Sequence, residues 1–325
     1  MDGAAHDIIG LPPGTPGPSA SVVIATRNRG AAVVGAIESI VRNEDRDRTT
    51  TFEVIVVDQS DDDASERAVA PYLSPARVRY IRTPSRGLGA ARNVGVAAAS
   101  SEWVAFIDDD CAASPDWLVE LRRALDSDAR VGIVFGSVTE GPHDRDAGFI
   151  PSYAPRGSYV ARSLADKHHV EGIGACMALR KSAWAALGGF DAQLGAGSRF
   201  HAAEELDFVI RALEGGIWVH ETDQAEVVHN GFRPNARKST LAYEYCFGIG
   251  AVYAKHLKCG RWKVLRPLLQ LATRWALGSP VVRYGKPPDK TSRLRGFLDG
   301  AVVGYRTPVN REAVLYRPDQ QEGVR

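Results

Sequence analysis

The chain has 325 residues, 44% hydrophobic and 24% charged, a balance that suits a globular protein and excludes collagen-like or disordered architectures. Its four cysteines are scattered with no C-x-x-C pair, which argues against a zinc ribbon or a disulfide framework and for a reducing cytoplasm. The formal charge of +1 hides an asymmetry: residues 255–295 hold eleven Lys or Arg against Asp289 alone, a net +10, which leaves −9 for the rest.

Residues 1–18 carry four prolines and several glycines without a basic, apolar leader pattern, and read as a flexible lead-in, not a signal peptide. Strand signals follow at 21–25 (SVVIA), 52–57 (FEVIVV), 78–81 and 102–107 (EWVAFI). Helical spacing fills the intervals at 31–41, 64–73 and 88–99. This β-α-β-α-β-α-β order predicts an α/β fold with a largely parallel sheet flanked by helices. Ligands in such sheets gather at the carboxyl ends of the strands. The polar residues there are Thr26, Arg27 and Asn28, then Asp58, then Asp108, Asp109 and Asp110.

Further along, 116–127 reads as a helix capped by Ser114, 131–135 as a strand, and 141–159 as an irregular loop over the site. Strands are expected at 172–179, 218–219 and 226–229, with a helix at 202–213 bearing acids near its start. Beyond Pro234 the pattern becomes helical, at 239–257, 262–277 and roughly 290–303. The expected organisation is therefore a lead-in over 1–18, an α/β domain over 19–234 and a basic helical extension over 235–325. The most apolar stretch, 264–282, is interrupted by Arg266, Pro267 and Arg274, so a membrane-spanning helix is not expected.

Three consecutive carboxylates ending an apolar strand repel one another unless a cation sits among them, and hard oxygen donors suit Mg²⁺ or Mn²⁺. Asp61, Asp62 and Asp63 read instead as a solvated turn, with Asp63 capping a helix. The segments VVIATRNRG (22–30), VVDQSDD (56–62), GLGAARNVG (87–95) and FIDDDC (106–111), continued by GIGACMALRKSAWAALGGFD (172–191) and AEELDFVIR (203–211), together resemble family 2 glycosyltransferases of the GT-A fold.

That resemblance implies an inverting transferase moving a sugar from a nucleotide-diphosphate donor to a hydroxyl acceptor, with 19–234 as its catalytic domain, divided into a nucleotide-sugar half (19–135) and an acceptor half (136–234). UDP- or dTDP-sugars are favoured and a GDP-sugar is possible. The acceptor would be a glycan, a lipid-linked saccharide or a small molecule. It further implies Asp110 as direct ligand of Mn²⁺ or Mg²⁺, with Asp108 and Asp109 reaching the ribose or the metal, and His229 as a further metal ligand. Arg92 corresponds to a residue contacting the nucleotide or its phosphates, Asp58 to one accepting a pyrimidine N3–H, and Thr26 and Arg27 to the base pocket. Asn28 belongs to the same donor loop. Arg27 stands where relatives often carry an aromatic residue. An acceptor hydroxyl needs a general base, which the resemblance assigns to Glu205, with Glu204 as the alternative.

From the residues alone, Asp207 and Arg211 are spaced to pair on one helix face, His168 and His169 read as surface residues, and Gly172 and Gly174 read as points of close approach to sugar or acceptor, or as bulges. The cationic stretch 255–295, interleaved with Trp262, Leu269 and Trp275, fits an anionic membrane surface or a solvated face packed on the acidic domain. No nucleic-acid module accompanies it, so nucleic acid is not an expected partner. A cytoplasmic enzyme, peripheral on the inner face of the membrane in the first case, is the expected setting. Two other functions share these features. One is a sugar nucleotidyltransferase, although its G-x-G-x-R loop is replaced here by ATRNRG. The other is a non-catalytic nucleotide-sugar-binding module.

Overall fold

The computed structural model describes residues 19–42, 51–74, 77–276 and 290–318. Strands β1 (Ala20–Thr26), β2 (Phe52–Asp58), β3 (Val78–Arg82) and β4 (Trp103–Asp108) alternate with helices α1 (Ala32–Val41), α2 (Ala64–Val69) and α3 (Leu88–Ala98). The four strands run parallel in the order β3-β2-β1-β4. The apolar runs of β1, β2 and β4 follow from burial of both faces, whereas the edge strand β3 is only partly buried. Side chains alternate across the sheet: Val23, Ile55, Val57 and Phe106 join Ala91 and Val96 of α3 in one core. Val22, Ile24, Val54 and Ile107 join Ile37 and Ile40 of α1 in the other.

After β4 the chain turns through β5 (Cys111–Ala113), α4 (Trp117–Leu125) and β6 (Val131–Glu140). The short strands β7 (Gly148–Phe149) and β8 (Tyr159–Ala161) follow, then β9 (Met177–Arg180), α5 (Lys181–Ala186), α6 (Glu204–Glu214), β10 (Trp218–His229) and β11 (Arg233–Pro234). β9 enters antiparallel between β4 and β6, and β10 runs parallel to β6. The order β3-β2-β1-β4-β9-β6-β10-β5, with β8 antiparallel on β10, is thus a mixed sheet.

Several expected boundaries shift. The two strands expected at 218–219 and 226–229 are one strand with irregular register between Glu221 and Glu226, its polar middle joining the two paired ends. In place of the strand expected at 172–179, the strand is Met177–Arg180, and a 3-10 turn, Gly174–Cys176, precedes it. The loop 141–159 is partly ordered: β7 pairs with β11, and Val138 bridges Tyr153. Asp116, not Ser114, occupies the cap position of α4. Asp63 holds the cap position of α2 but makes no cap hydrogen bond and pairs with Arg67 instead.

Helices α7 (Lys238–Lys258), α8 (Leu265–Ala276) and α9 (Lys290–Arg306) complete the fold, followed by a hairpin of β12 (Val309–Asn310) and β13 (Leu315–Tyr316). Gly296, Gly300 and Gly304 recur every four residues on one face of α9, so its backbone presses directly on α7. A Cβ at Gly304 would stand 2.7 Å from the Cα of Ala251, and one at Gly300 would collide with the Phe247 carbonyl. α7 is anchored in turn to the catalytic part. Lys255, fully buried, sits 2.6 Å from Asp191 and 2.7 Å from Asp207, and His256 lies 3.0 Å from Asp207. Asp207 also makes the expected pair with Arg211, at 2.8 Å. No helix among the described residues is long and apolar enough to cross a membrane.

Candidate active site

A cavity of about 550 Å³ opens at the carboxyl ends of β1 and β4. Its floor holds the three aspartates, each in a different environment. Asp109 accepts a hydrogen bond from the Thr26 hydroxyl (2.6 Å), and burial pushes its carboxyl up to about 6 despite that bond. Burial would raise Asp110 as well, but His229 and Arg29 outweigh it and hold this carboxyl below its ordinary value. Asp108 leans toward Arg92, its Oδ1 3.8 Å from Nη2.

Arg92 is the centre of charge. It projects from α3 and its side chain is only 2% exposed, which rules out the surface position its Ala-rich helix could have given it. Nη1 lies 3.1 Å from both Glu204 and Glu205 at the start of α6, and the guanidinium rests near the rings of Phe106 and Phe190. One buried cation therefore serves three carboxylates. Burial and the charge of Glu205 raise the Glu204 carboxyl beyond what Arg92 can offset. Glu205 is the more accessible of the two, at 20% against 4% of the side chain, and it also accepts the Gly174 N–H (3.1 Å). Ala203, just before α6, has left-handed backbone (φ 74°), a costly conformation for a residue with a Cβ. It turns the helix start so that both carboxylates reach Arg92.

His229, at the end of β10, faces Asp110 across the crevice, Nε2 to Oδ1 3.2 Å. Its Nδ1 lies 2.9 Å from the Pro151 carbonyl. A carbonyl can only accept, so Nδ1 carries the hydrogen and Nε2 is directed at the aspartate, the second-sphere arrangement typical of histidine metal ligands. Gly231 completes a cradle here: a Cβ would stand 2.5 Å from both Asp110 Oδ2 and His229 Nε2. Asp110, Cys111 and His229 are close enough to share an ion. Burial raises the Cys111 thiol well above its ordinary value, and a soft sulfur suits a hard divalent cation less well than carboxylate oxygen does. The donor set that fits a hard divalent cation is Asp110 and His229, with Asp109 beside them.

The remaining expected residues divide. Thr26 and Arg27 line the cavity, with Arg27 also 3.7 Å from Asp61. Asn28 and Asp58 do not line it. Asn28, in left-handed backbone (φ 54°), binds Asp61 through its side chain at 2.9 and 3.0 Å. Asp58 is fully buried, with Oδ1 accepting from Ser60 and Oδ2 from the Tyr80 hydroxyl (2.5 Å), and the neighbouring Gln59 faces the cavity instead. Of the two histidines read as surface residues, His169 is exposed, whereas His168 is half-buried, its ring tilted against that of His169, and forms part of the wall. Gly172 and Gly174 allow close approach to Phe135 and to the Arg92–Glu205 pair respectively, within the protein itself.

Several wall residues escape the motif-based reading. Arg29 spans Asp109 (3.9 Å) and Asp110 (3.2 Å) and partly neutralises them; the only local hint is that it is the second basic residue of TRNRG. Tyr245 of α7 and Arg274 of α8 also reach the cavity, and nothing in their own segments marks them.

The sequence profile described as Glycosyl transferase family 2 matches residues 21–187, the span that contributes β1 to β9, Arg92 and the three aspartates. The chain belongs to this family. The succinoglycan biosynthesis protein ExoO of Rhizobium meliloti is 39% identical over 110 residues, 34% of this transferase and 29% of that protein. Validoxylamine A glucosyltransferase of Streptomyces hygroscopicus is 31% identical over 124 residues, 37% and 28% of the two chains. The matches thus span less than a third of the length of these relatives. Among solved structures, the mannosyltransferase PcManGT of Pyrobaculum calidifontis, in complex with GDP-Man and Mn²⁺, superimposes over 92% of the transferase and 90% of that chain, with TM-score 0.56 and 18% identity. S. aureus TarS with UDP-GlcNAc covers 72% and 66%, with TM-score 0.54 and 18% identity. At these identities the likeness establishes the GT-A fold.

Proposed function

We propose that this chain transfers a sugar, with inversion, from a nucleoside-diphosphate sugar to a hydroxyl acceptor, assisted by Mn²⁺ or Mg²⁺. The observation that carries the reading is the placement of Arg92, Glu204 and Glu205 opposite Asp110 and His229 across one cavity. Asp110 and His229 would hold the cation, with Asp109 and Asp108 beside them; bound there, it would act as a Lewis acid that neutralises the diphosphate leaving group. Arg29 and Arg27, half-exposed at the mouth, are suited to contact phosphate oxygens. Arg92 acts as a fixed positive charge that holds the Glu205 carboxylate in place beside the acceptor space. Glu205 is the group that accepts the proton from the acceptor hydroxyl, and the buried Glu204 positions Arg92 from behind. If Glu205 fails this role, Glu204 is the alternative base.

Solved neighbours bind both UDP-GlcNAc and GDP-Man, so UDP-, dTDP- and GDP-sugars are all candidate donors. The names of the relatives suggest saccharide or small-molecule acceptors. The Glu204–Glu205 pair on Arg92 favours transfer over a non-catalytic binding module, and the ATRNRG loop disfavours a nucleotidyltransferase. The proposal is tested by following nucleoside-diphosphate release with each donor and Mn²⁺ or Mg²⁺. Asp110→Ala should abolish metal-dependent nucleotide binding. Glu205→Gln should retain nucleotide binding and lower turnover about 10²- to 10⁴-fold; full turnover by Glu205→Gln would place the base elsewhere.

A cytoplasmic, membrane-peripheral setting belongs to the same reading. Trp262, Leu265 and Leu269 are exposed beside Arg261, Lys263 and Arg266, a combination that suits an anionic lipid surface. Lys255 and Arg274, by contrast, are spent on internal partners Asp191, Asp207 and Glu171. Sedimentation with vesicles that is indifferent to anionic lipid content would remove this part.

A further inference from the structure

The cavity extends past the aspartates and Arg92, and the part away from them is lined by residues of the C-terminal helices. We propose that the acceptor carries an alkyl or aryl body next to its hydroxyl, and that this apolar body occupies a chamber between α6, α7 and α8. The proposal rests on the transferase reading and names the acceptor class for the same site.

Helical spacing identifies the walls. On α7 the lining residues Ala242, Cys246, Ile249 and Tyr253 recur at steps of three or four, with Tyr245 beside Cys246, on one face of the helix. Tyr245 lies among Arg233, Glu204, Glu205 and Asp108, at the catalytic end. Tyr253 is eight residues on, about 12 Å along the axis at about 1.5 Å per residue. Leu206 and Val209 of α6, and Pro267, Leu271 and Trp275 of α8, line the same cavity. The far end closes where Tyr253 and Trp275 both approach Phe297, at 6.4 and 5.8 Å between ring centroids. Beyond Glu204 and Glu205 at the catalytic end, the charged lining residue of these helices is Arg274, bound to Glu171 and to the His168 carbonyl (3.3 Å); of the neighbouring wall, Lys167 donates to the Val170 carbonyl (2.8 Å), and Arg293 of α9 also lines the cavity.

The chemistry follows from those walls. A sugar pushed into this space would lose hydrogen bonds to water and find few replacements. An alkyl or aryl group loses nothing there and gains from each methylene removed from water. Continuity with the Glu205 carboxylate sets the orientation: apolar body inward, hydroxyl toward Glu205. A water-soluble aglycone and the first isoprene units of a lipid-linked saccharide share this chemistry.

The test is calorimetric titration of the full chain, without donor or metal, with methyl, hexyl and octyl β-D-glucosides below micelle-forming concentrations. Affinity is expected to rise about threefold to fourfold per methylene until the chamber is filled. Leu271→Arg should abolish that gain. Ile249→Arg, from a different helix, gives the same answer if the first variant does not fold, as judged by its thermal unfolding midpoint. Either loss separates the chamber from the exposed stripe Leu294, Leu298, Val302 and Tyr305 on α9, which neither substitution alters. Equal affinity for methyl and octyl glucoside, or octyl binding intact in both folded variants, would overturn the proposal. Separate titration with UDP or GDP and Mn²⁺ tests the transferase reading, so the two can fail independently. Transfer assays with octyl glucoside in solution and with a polyprenyl-phosphate-linked sugar in vesicles then distinguish the two sources, and activity with either supports the chamber.

Discussion

Removing the Arg92 charge is the most exacting test of the site. Arg92→Met keeps the length of the side chain and its contact with Phe106 and Phe190 but leaves Asp108, Glu204 and Glu205 without their shared cation. At 3.1 Å the attraction to each glutamate is about 5 kcal/mol for an effective dielectric of about 20, and at 3.8 Å that to Asp108 is about 4 kcal/mol. Most of this gross attraction is offset by the cost of burying the guanidinium and by repulsion among the acids. The net loss on breaking such a buried pair is about 3–5 kcal/mol. The variant can recover part of it by taking up protons. Its carboxyls should titrate above the ordinary carboxylate value of about 4.3, so between about pH 5 and 8 the folded state binds protons that the unfolded state has released. Stability must then fall as pH rises, by up to about 1.4 kcal/mol per pH unit for each proton taken up. Burial already raises Glu204 in the wild type, which gives the same sign with a smaller slope. Urea unfolding at pH 6 and pH 8 measures both: the deficit of Arg92→Met should be largest at pH 8 and shrink at pH 6. A deficit below about 1 kcal/mol at pH 8, or one unchanged between the two pH values, would refute the shared-cation account. Arg92→Lys, with the charge but without the fork, should lie between the two proteins.

Other expectations follow from single contacts. Gly231→Ala places a methyl 2.5 Å from Asp110 Oδ2 and His229 Nε2, so Mn²⁺-dependent nucleotide binding should weaken at least tenfold in titrations while the unfolding midpoint changes little. Lys255→Met strips the buried Asp191 and Asp207 of their cation and should cost about 3–5 kcal/mol in urea unfolding at pH 7. Arg211, Lys255 and His256 overcome the effect of burial and hold Asp207 well below the ordinary carboxylate range. Its stabilisation is therefore present above about pH 4 and lost as pH falls below that, and the acid unfolding limb should be shallower in Lys255→Met. Gly300→Ala drives a methyl into the Phe247 carbonyl. It should destabilise by about 1–3 kcal/mol, against the small gain Ala normally brings to a helix, as read from the unfolding midpoint.

Much of the scaffold is written locally. The apolar runs of β1, β2 and β4, the helical periods between them and the polar residues at their carboxyl ends depend on interactions within a few residues, so length, order and crevice can be read directly. The Asp207–Arg211 pair is legible for the same reason, since one helical turn brings the two together. Strand direction in the second half is less accessible: β9 reads as one more apolar run, and its insertion antiparallel between β4 and β6 follows from how the sheet closes. β10 escapes recognition as one strand because its central HETD is polar, and the partners that pair with Glu221, namely Tyr153 and the Glu171 N–H, come from distant loops.

The acidic triplet at the end of β4 and the acids at the start of α6 were determined by the sequence itself, because their neighbours in the chain declare the strand end and the helix start. What those carboxylates face was decided by tertiary structure alone. Arg92 sits 112 residues from Glu204, Asp110 meets a histidine from another strand, and Asp58 turns inward to Ser60 and Tyr80 while Gln59 takes the wall. Charge, burial and cavity shape are properties of side chains converging from separate elements, and no spacing along the chain encodes where helices such as α7 and α8 come to rest.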